Sequence, residues 1–218
     1  MSRTDQFTVK KNPSQLTIEW AGAADAGHLK TYDKEAKENI VLGGMTFAIL
    51  TERNCVSGWH EDHRANAFSN EVGNLKSTPL TVKVWDGDKP KELIEGMYAD
   101  IKDGLKSKGV KYHKVVFIMV IDSPDVDTGT IAKLMLKGAA AGAYFELKDK
   151  KRAVKCAGST DGQTGAVKYK MPKFVPVDIE QGASEEAELA YEQVKAYFSV
   201  APVEAAPAEA DESGDTPF

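Results

Sequence analysis

A tryptophan and a lysine lie two residues apart in a predicted strand. Residues 81–85 alternate polar and apolar side chains, so Lys83 and Trp85 share one side of the strand and two valines share the other. A base can stack on an exposed indole while the lysine meets a phosphate, which is the minimal unit of single-strand nucleic-acid binding. An ordinary strand with a partly buried tryptophan would show the same pattern.

Aromatic rings and bases also interleave upstream of this strand, in an otherwise polar stretch. The members are Arg53, Trp59, His60, His63, Arg64 and Phe68. Trp59 and Phe68 are candidates for stacking, and the neighbouring bases are candidates for phosphate contacts. Alternatively, one of the two rings is a core anchor.

A third candidate is a dense group of bases in a predicted hairpin. Strands are expected at 152–157 and 166–174, because residues 158–165 between them have strong turn chemistry. The bases in and before this hairpin are Lys148, Lys150, Lys151, Arg152, Lys155, Lys168, Lys170 and Lys173, with Tyr169 as a further ring for stacking. Such a stripe can track a nucleic-acid backbone, but lysines also protect exposed sheet edges from aggregation.

Metal chemistry is a rival interpretation of one segment. Cys55, His60 and His63 are spaced as C-x4-H-x2-H, and three ligands plus water is a catalytic zinc geometry. A metal-dependent nucleic-acid enzyme is therefore an alternative, although no second Cys or His pair lies nearby. The chain has no P-loop, GxSxG, HExxH or dinucleotide fingerprint, which favours a protein that is not an enzyme and has no cofactor.

The strands that must position these residues indicate a mainly β fold with added helices (α+β). They are predicted at 14–20, at 39–53 with a bulge at Gly43-Gly44, within 56–72, at 80–85 and at 112–121. The last of these has a continuous apolar centre and should be the most buried element. The predicted elements follow the order of three strands, one helix and a further strand. This is the order of an OB-fold, which is a Greek-key barrel.

Three helical segments are predicted. The first has apolar residues Leu93, Met97, Ile101 and Leu105 at intervals of four and ends at Gly109. The second is residues 128–148. The third is capped by Ser184 and has an apolar face of Ala187, Ala190, Tyr191, Val194 and Phe198.

The charge of the chain is divided between its two ends. Of 28 bases and 33 acids, one base and eleven acids lie in residues 178–218, which leaves 27 bases and 22 acids in the rest. A body of net +5 therefore precedes a segment of net −10. The two distant cysteines favour a reducing cytoplasm, and no apolar run is long enough for a membrane span.

The acidic segment ends in Asp215-Thr216-Pro217-Phe218. It resembles the C-terminal tip of bacterial and bacteriophage single-stranded DNA-binding proteins, whose acidic tails close on Pro-Phe or a bare aromatic residue. The likeness covers about the last eight residues. The body does not align obviously with the bacterial tetrameric family and looks more like the divergent OB-fold replicative proteins of double-stranded DNA phages. It implies an OB-fold, sequence-independent DNA binding in replication, recombination and repair, and a tail that recruits enzymes such as polymerase, helicase, primase or nuclease.

The tail has a physical rationale of its own. Its ring can enter an apolar pocket on a partner while the acids steer the encounter. The residues expected to bind the partner are Asp211, Glu212, Asp215, Pro217 and Phe218. A tethered acidic segment should also compete with DNA for the basic body. Alternatively, such tails only raise solubility, or the protein is an adaptor that binds other proteins alone.

Two regions follow from these observations. Residues 1–198 are expected to form an OB-fold-like single-stranded DNA-binding domain with a C-terminal helix, and residues 199–218 a disordered acidic tail that binds partners. A protein of this class would act in the cytoplasm of a bacterial host cell. The DNA contacts would combine the ring-and-base stretch from Arg53 to Phe68, the Lys83 and Trp85 face, and the basic hairpin.

Overall fold

A computed structural model describes residues 12–87, 89–150 and 153–199, and within these ranges the protein is mainly β with three helices. The α+β prediction is therefore confirmed. The strands are β1 (Leu16–Ala21), β2 (His28–Asp33), β3 (Glu38–Leu42), β4 (Met45–His60), β5 (Ala65–Ser69), β6 (Leu80–Asp86), β7 (Lys89–Gly96), β8 (Lys111–Asp122), β9 (Ile131–Leu136), β10 (Ala153–Thr164) and β11 (Val167–Val177). The helices are α1 (Tyr98–Ser107), α2 (Ala139–Phe145) and α3 (Gln181–Phe198).

All of these strands belong to one open, mixed sheet. The strand order is β3-β2-β1-β9-β8-β4-β5-β6-β7. In addition, β10 pairs with the start of β4 on one side and with β11 on the other. The β1–β9 pair is parallel, and the other pairs are antiparallel. β4 is the longest strand, with 16 residues, and pairs with β8, β5 and β10 along its length.

β8 is the central strand, as its apolar run predicts. Residues 115–120 are all fully or almost fully buried. Alternate residues serve opposite faces: Val116 packs in the core under α2, whereas Phe117 packs in the core under α3. Helices α2 and α3 therefore cover opposite faces of this part of the sheet. Each large apolar side chain that is fully buried contributes about 1.5–3 kcal/mol.

A third core lies under α1. Val82 and Val84 of β6 pack there with Ile101 and Leu105, the two buried residues of the helix. The helix ends as predicted, because Gly109 has a φ of +89° and follows the last turn directly. Within the described ranges, none of the three helices has the length and apolarity of a membrane-spanning helix.

The predicted long strand at 39–53 is two strands instead of one. Gly43 and Gly44 separate β3, which pairs with β2, from β4, which pairs with β8. The N–H of Gly43 donates to the Asp125 carboxylate (2.6 Å), and a Cβ at this position would meet Pro124 at 2.8 Å. The chain therefore turns at the glycines instead of bulging. Strand β2 was not predicted at all.

Two helical predictions are wrong in part. Residues 89–96, including Leu93, form β7, since Gly87 closes a tight hairpin with β6 and Met97 is only the N-cap of α1. Residues 131–136 form β9, which satisfies backbone groups of β8 on one side and β1 on the other. In both cases cross-strand pairing outweighs a local helical pattern.

The last helix and the basic hairpin are confirmed with changed boundaries. The helix begins at Gln181 after Glu180 as N-cap, so Ser184 lies in its first turn and is not the cap. Its predicted apolar face does pack on the sheet. The hairpin forms from β10 and β11, but its strands extend so far that the turn is only residues 165–166.

Candidate nucleic-acid interface

Four predicted site residues share one exposed face of β4, β5 and β6. Phe68 lies opposite Lys83 on β6, and Trp59 on β4 and Trp85 on β6 follow the same alternation. The intervening residues of β6, Val82 and Val84, point into the α1 core. We call Trp59, Phe68, Lys83 and Trp85 the aromatic surface. Strand alternation and the core beneath fix which side chains it presents.

The rings of this surface are accessible to a ligand. Trp59 is 55% exposed and Trp85 is 42% exposed. The Phe68 and Trp85 rings contact each other, with centroids 5.7 Å apart and an interplanar angle of 36°. Neither tryptophan is a core anchor. A broad aromatic face that is left open to solvent is a ready stacking platform for bases.

The C-terminal end of α1 holds the β4–β5 hairpin, and with it Trp59, in place. Glu61 N–H donates to the Lys108 carbonyl (3.0 Å), and Lys108 Nζ lies 2.8 Å from the Asp62 carboxylate. This hydrogen bond holds the pKa of Asp62 below its usual value. The backbones approach so closely that a Cβ on Gly109 would lie 2.5 Å from the Trp59 carbonyl oxygen. Only glycine fits there.

Cations flank the rings, and acids mark one border. Lys111 on β8 is exposed and lies opposite Ser57, which in turn lies opposite Phe68. Lys83 completes this row on the other side of Phe68. Beyond it on β7, Glu92 lies opposite Lys83. A polyanion would therefore be attracted along the row and repelled at its β7 edge.

The hairpin turn carries the remaining predicted residues of this region. His60 is only 5% exposed, its Nδ1 accepts the His63 N–H at 3.4 Å, and the two imidazoles contact each other. Its side chain lies away from the aromatic surface and stabilises the turn. Arg64 is exposed at the turn itself, with a φ of +50°, and can reach a ligand from the rim.

The structure does not bring Cys55, His60 and His63, the ligands of the alternative metal-site interpretation, together in the described residues. Cys55 and His60 are five residues apart on β4, so their side chains point to opposite faces. Cys55 is buried in the core under α3, where burial raises the pKa of its thiol to about 12. Among the described residues, no three His, Cys, Asp or Glu side chains are grouped so that they could hold a metal ion.

Arg53 lies under the end of α3 and not on the aromatic surface. Its guanidinium carbon lies 4.1 Å from the centroid of the Phe198 ring. Its Nε is buried and has no hydrogen-bond partner within the described part of the chain. The cation–π contact fixes the last turn of α3 against β4.

The basic hairpin lies at the other end of β4. β10 pairs with β4 at Phe47, twelve residues before Trp59, which corresponds to about 40 Å along the strand. Lys155, Lys168 and Lys173 are exposed there. The structure therefore separates the hairpin from the aromatic surface instead of joining them in one site.

Two members of the hairpin have structural contacts. Lys170 Nζ lies 2.6 Å from Asp161, and its carbonyl accepts the Trp20 indole N–H at 2.9 Å. The Tyr169 ring packs on Gly162, which has no room for a side chain. Two further predicted residues, Lys151 and Arg152, lie outside the described residues, as do all five predicted partner-binding residues of the tail.

One lysine of the basic stretch belongs to a partly buried ion-pair network instead. Lys150 Nζ lies 3.0 Å from Glu52, which also binds Lys114 Nζ at 2.7 Å and accepts the Tyr144 hydroxyl at 2.8 Å. Burial alone would raise the pKa of Glu52, but these three hydrogen bonds lower it below its usual value. The network ties α2 and the segment after it to the middle of β4 and β8.

Sequence reasoning missed Lys111 and Asn66, which both border the rings. Asn66 follows the same alternation as Phe68, so a correct assignment of β5 would have included it. Lys111 required the pairing of β4 with β8, which no local pattern shows.

Comparison with known proteins gives no match to this chain. No protein-family model, no curated protein and no solved structure matches it. What the aromatic surface can do chemically follows from its own side chains, namely rings for stacking and amines for phosphates.

Proposed function

We propose that the protein is a non-catalytic, sequence-independent single-stranded DNA-binding protein of phage DNA replication and recombination. The supporting observation is the aromatic surface, with Trp59, Phe68 and Trp85 exposed beside Lys83 above a solid core. Bases in a duplex are already stacked and paired, so an open aromatic face favours single strands. Every base has a π-face, so stacking does not depend on sequence.

Phosphate contacts complete the proposed interface. Lys83 and Lys111 lie in the same cross-strand row as Phe68, one on either side of it. Arg64 lies at the turn of the β4–β5 hairpin. A strand that stacks on the rings passes within reach of these cations. Affinity should fall with salt, with a slope of log K against log salt of about −0.7 for each phosphate that is neutralised.

We also propose that β4, β5, β6, α1 and β8 form an OB-type core. These elements keep the order of three strands, a helix and a fourth strand, with β7 added before the helix, and β4 pairs with both β5 and β8. In OB-folds, oligonucleotides bind on the face of the second and third strands and on the loop between the first two. The corresponding parts here are the β5–β6 face and the turn that carries Arg64.

The basic hairpin is proposed as a second, separate contact. The face between it and the aromatic surface is covered by α3, whose acids Glu185, Glu188 and Glu192 are exposed. A nucleic-acid strand would have to pass this acidic helix to reach both sites. Short oligonucleotides should therefore use the aromatic surface alone, and longer ones should gain affinity from Lys155, Lys168 and Lys173.

The acidic tail is proposed to recruit replication enzymes. Residues 199–218 carry acids and an aromatic residue, Phe218, which suit an apolar pocket rimmed by bases on a partner. The same acids can compete with DNA for the basic parts of the body.

The test is tryptophan fluorescence during titration with oligo-dT at low and high salt. Trp20 is buried at 6% exposure, so Trp59 and Trp85 are the two that a bound base can quench. Quenching that saturates, and that weakens with salt, is expected. If neither quenching nor any change in the anisotropy of a labelled oligonucleotide occurs, DNA binding at this surface is ruled out.

The adaptor alternative uses the same surface differently. Exposed tryptophans are also frequent in protein–protein interfaces. An adaptor would keep its affinity for a protein partner and show no salt-sensitive affinity for oligonucleotides, so the same titration separates the two functions.

A further inference from the structure

Asn66 lies between the two exposed tryptophans. It is directly opposite Trp59 in the β4–β5 pair. In the β5–β6 pair Ala67 lies opposite Val84, and continuing that register by one residue places Asn66 opposite Trp85. Strands are about 4.8 Å apart, so the two indoles are rooted about 10 Å from each other with the asparagine midway.

The amide of Asn66 has no evident structural role. Asn54 and Asn70, by contrast, use their side chains to hold backbone: Asn54 Nδ2 donates to the Val72 carbonyl (3.2 Å), and Asn70 Oδ1 accepts the Thr81 N–H (2.8 Å). Asn66 is exposed and makes no such bond within the described ranges. Asparagine is also a poor strand former, so strand formation does not explain its presence in β5.

We propose that Asn66 hydrogen-bonds the edge of a nucleobase that is held by Trp59 and Trp85. A base that stands between rings rooted on either side of β5 turns one edge down toward that strand. A carboxamide has both a donor and an acceptor, and it can match the paired donor and acceptor groups that bases present on their edges. The rings then hold the base faces, the lysines hold phosphates, and Asn66 holds the base edge.

This inference rests on the proposed single-strand binding and deepens it. It assigns the ligand at the centre of the surface as a nucleobase and not a phosphate. Because the amide can rotate to suit different edges, the contact favours strands that carry bases without imposing one sequence.

The experiment compares Asn66→Ala with wild type on two oligonucleotides of equal length, oligo-dC and an abasic strand with the same phosphates. The matched control is Asn39→Ala, since Asn39 is an exposed strand asparagine on β3, at the opposite end of the sheet. Affinities are measured by anisotropy at low salt, where the abasic strand also binds, and folding is checked by thermal unfolding. Asn66→Ala should bind oligo-dC about fivefold more weakly, as expected for one lost hydrogen bond, and bind the abasic strand as wild type does. Asn39→Ala should equal wild type on both.

Two results would overturn the inference while leaving the proposed function intact. One is unchanged affinity of Asn66→Ala for oligo-dC. The other is an equal loss on both strands, which would make Asn66 a backbone contact or a structural residue. If wild-type protein binds neither strand, the proposed function itself fails and the inference fails with it.

Discussion

The Phe68 ring lies against the Trp85 ring across two neighbouring strands, with centroids 5.7 Å apart. The contact supports one side of the indole and leaves Trp85 42% exposed, so the indole is held in place before any ligand arrives. An aromatic platform that is ordered in advance loses little side-chain entropy on binding.

Replacing Trp85 by alanine should weaken single-stranded DNA binding by about 1–3 kcal/mol, the range for one stacked base. The measurement is anisotropy of a labelled oligo-dT. Tyr32→Ala is the control, because Tyr32 is 56% exposed on β2, far from the aromatic surface. A folded Trp85→Ala variant with wild-type affinity would show that the DNA lies elsewhere.

Replacing Lys83 or Lys111 by glutamine should flatten the salt dependence. Each substitution removes one phosphate contact, so the slope of log K against log salt should become less negative by about 0.7. Lys34→Gln is the control, since Lys34 is an exposed lysine beside β2. An unaltered slope for both variants would contradict the proposed row of phosphate contacts.

Glu52→Gln should destabilise the protein by about 1–3 kcal/mol, because it leaves the buried Lys114 ammonium without its carboxylate. The pKa of Glu52 is lowered in the folded state, so its stabilisation is complete above its ordinary pKa near 4.5 and is lost as pH falls below that. Urea unfolding at pH 7 and pH 3 measures this. Equal destabilisation by Glu52→Gln at both pH values would argue against the charge interaction. The control is Glu92→Gln, which should have little effect on stability at either pH.

His113 predicts a second pH dependence. Burial lowers its pKa from 6.5 to about 4, and its Nδ1 lacks a partner in the described residues. Between pH 6.5 and about 4, His113 is protonated in the unfolded chain but stays neutral in the folded protein. Stability should therefore fall as pH drops from 6.5 toward 4. At about 1.4 kcal/mol per pKa unit, the loss is about 3 kcal/mol. His113→Leu should remove this slope in urea unfolding, whereas a variant of the exposed His63 should keep it.

Deleting the last eight residues should leave DNA affinity unchanged or raise it, since acids that compete with the phosphates are removed. The same deletion should abolish capture of replication enzymes by the immobilised protein. Reduced DNA affinity in the truncated protein would contradict the proposed competition. Unchanged capture of replication enzymes would show that the tail serves only to raise solubility.

Local sequence patterns predicted the elements whose own residues carry a clear apolar run, a helical spacing or a turn signal. The apolar run of β8, the β10–β11 hairpin and the apolar face of α3 are confirmed. β9 was missed because its conformation depends on β8 and β1, and β7 because four-residue spacing in the sequence concealed a hairpin. The parallel β1–β9 pair joins distant segments of the chain, and no local pattern shows such a pairing.

The same limit applies to the candidate site. Alternation alone placed Lys83 and Trp85 on one face, and the structure bears this out. That Phe68 packs on Trp85, that Asn66 lies between the tryptophans and that the basic hairpin is remote all depend on strand register. Register is set by the assembled sheet and not by any one segment.

β4 acts as a molecular ruler. One continuous strand joins the hairpin near Phe47, the α3 contact at Arg53 and the ring of Trp59, and its pairing with β8 is regular from Thr51 to Ser57, so residue count sets the spacing from Arg53 to Trp59. Inserting two residues between Arg53 and Trp59 would lengthen this ruler by about 7 Å and keep each side chain on its face. Inserting a single residue would turn the indole into the interior and a core side chain outward. Viable length changes in this strand should therefore come in even steps.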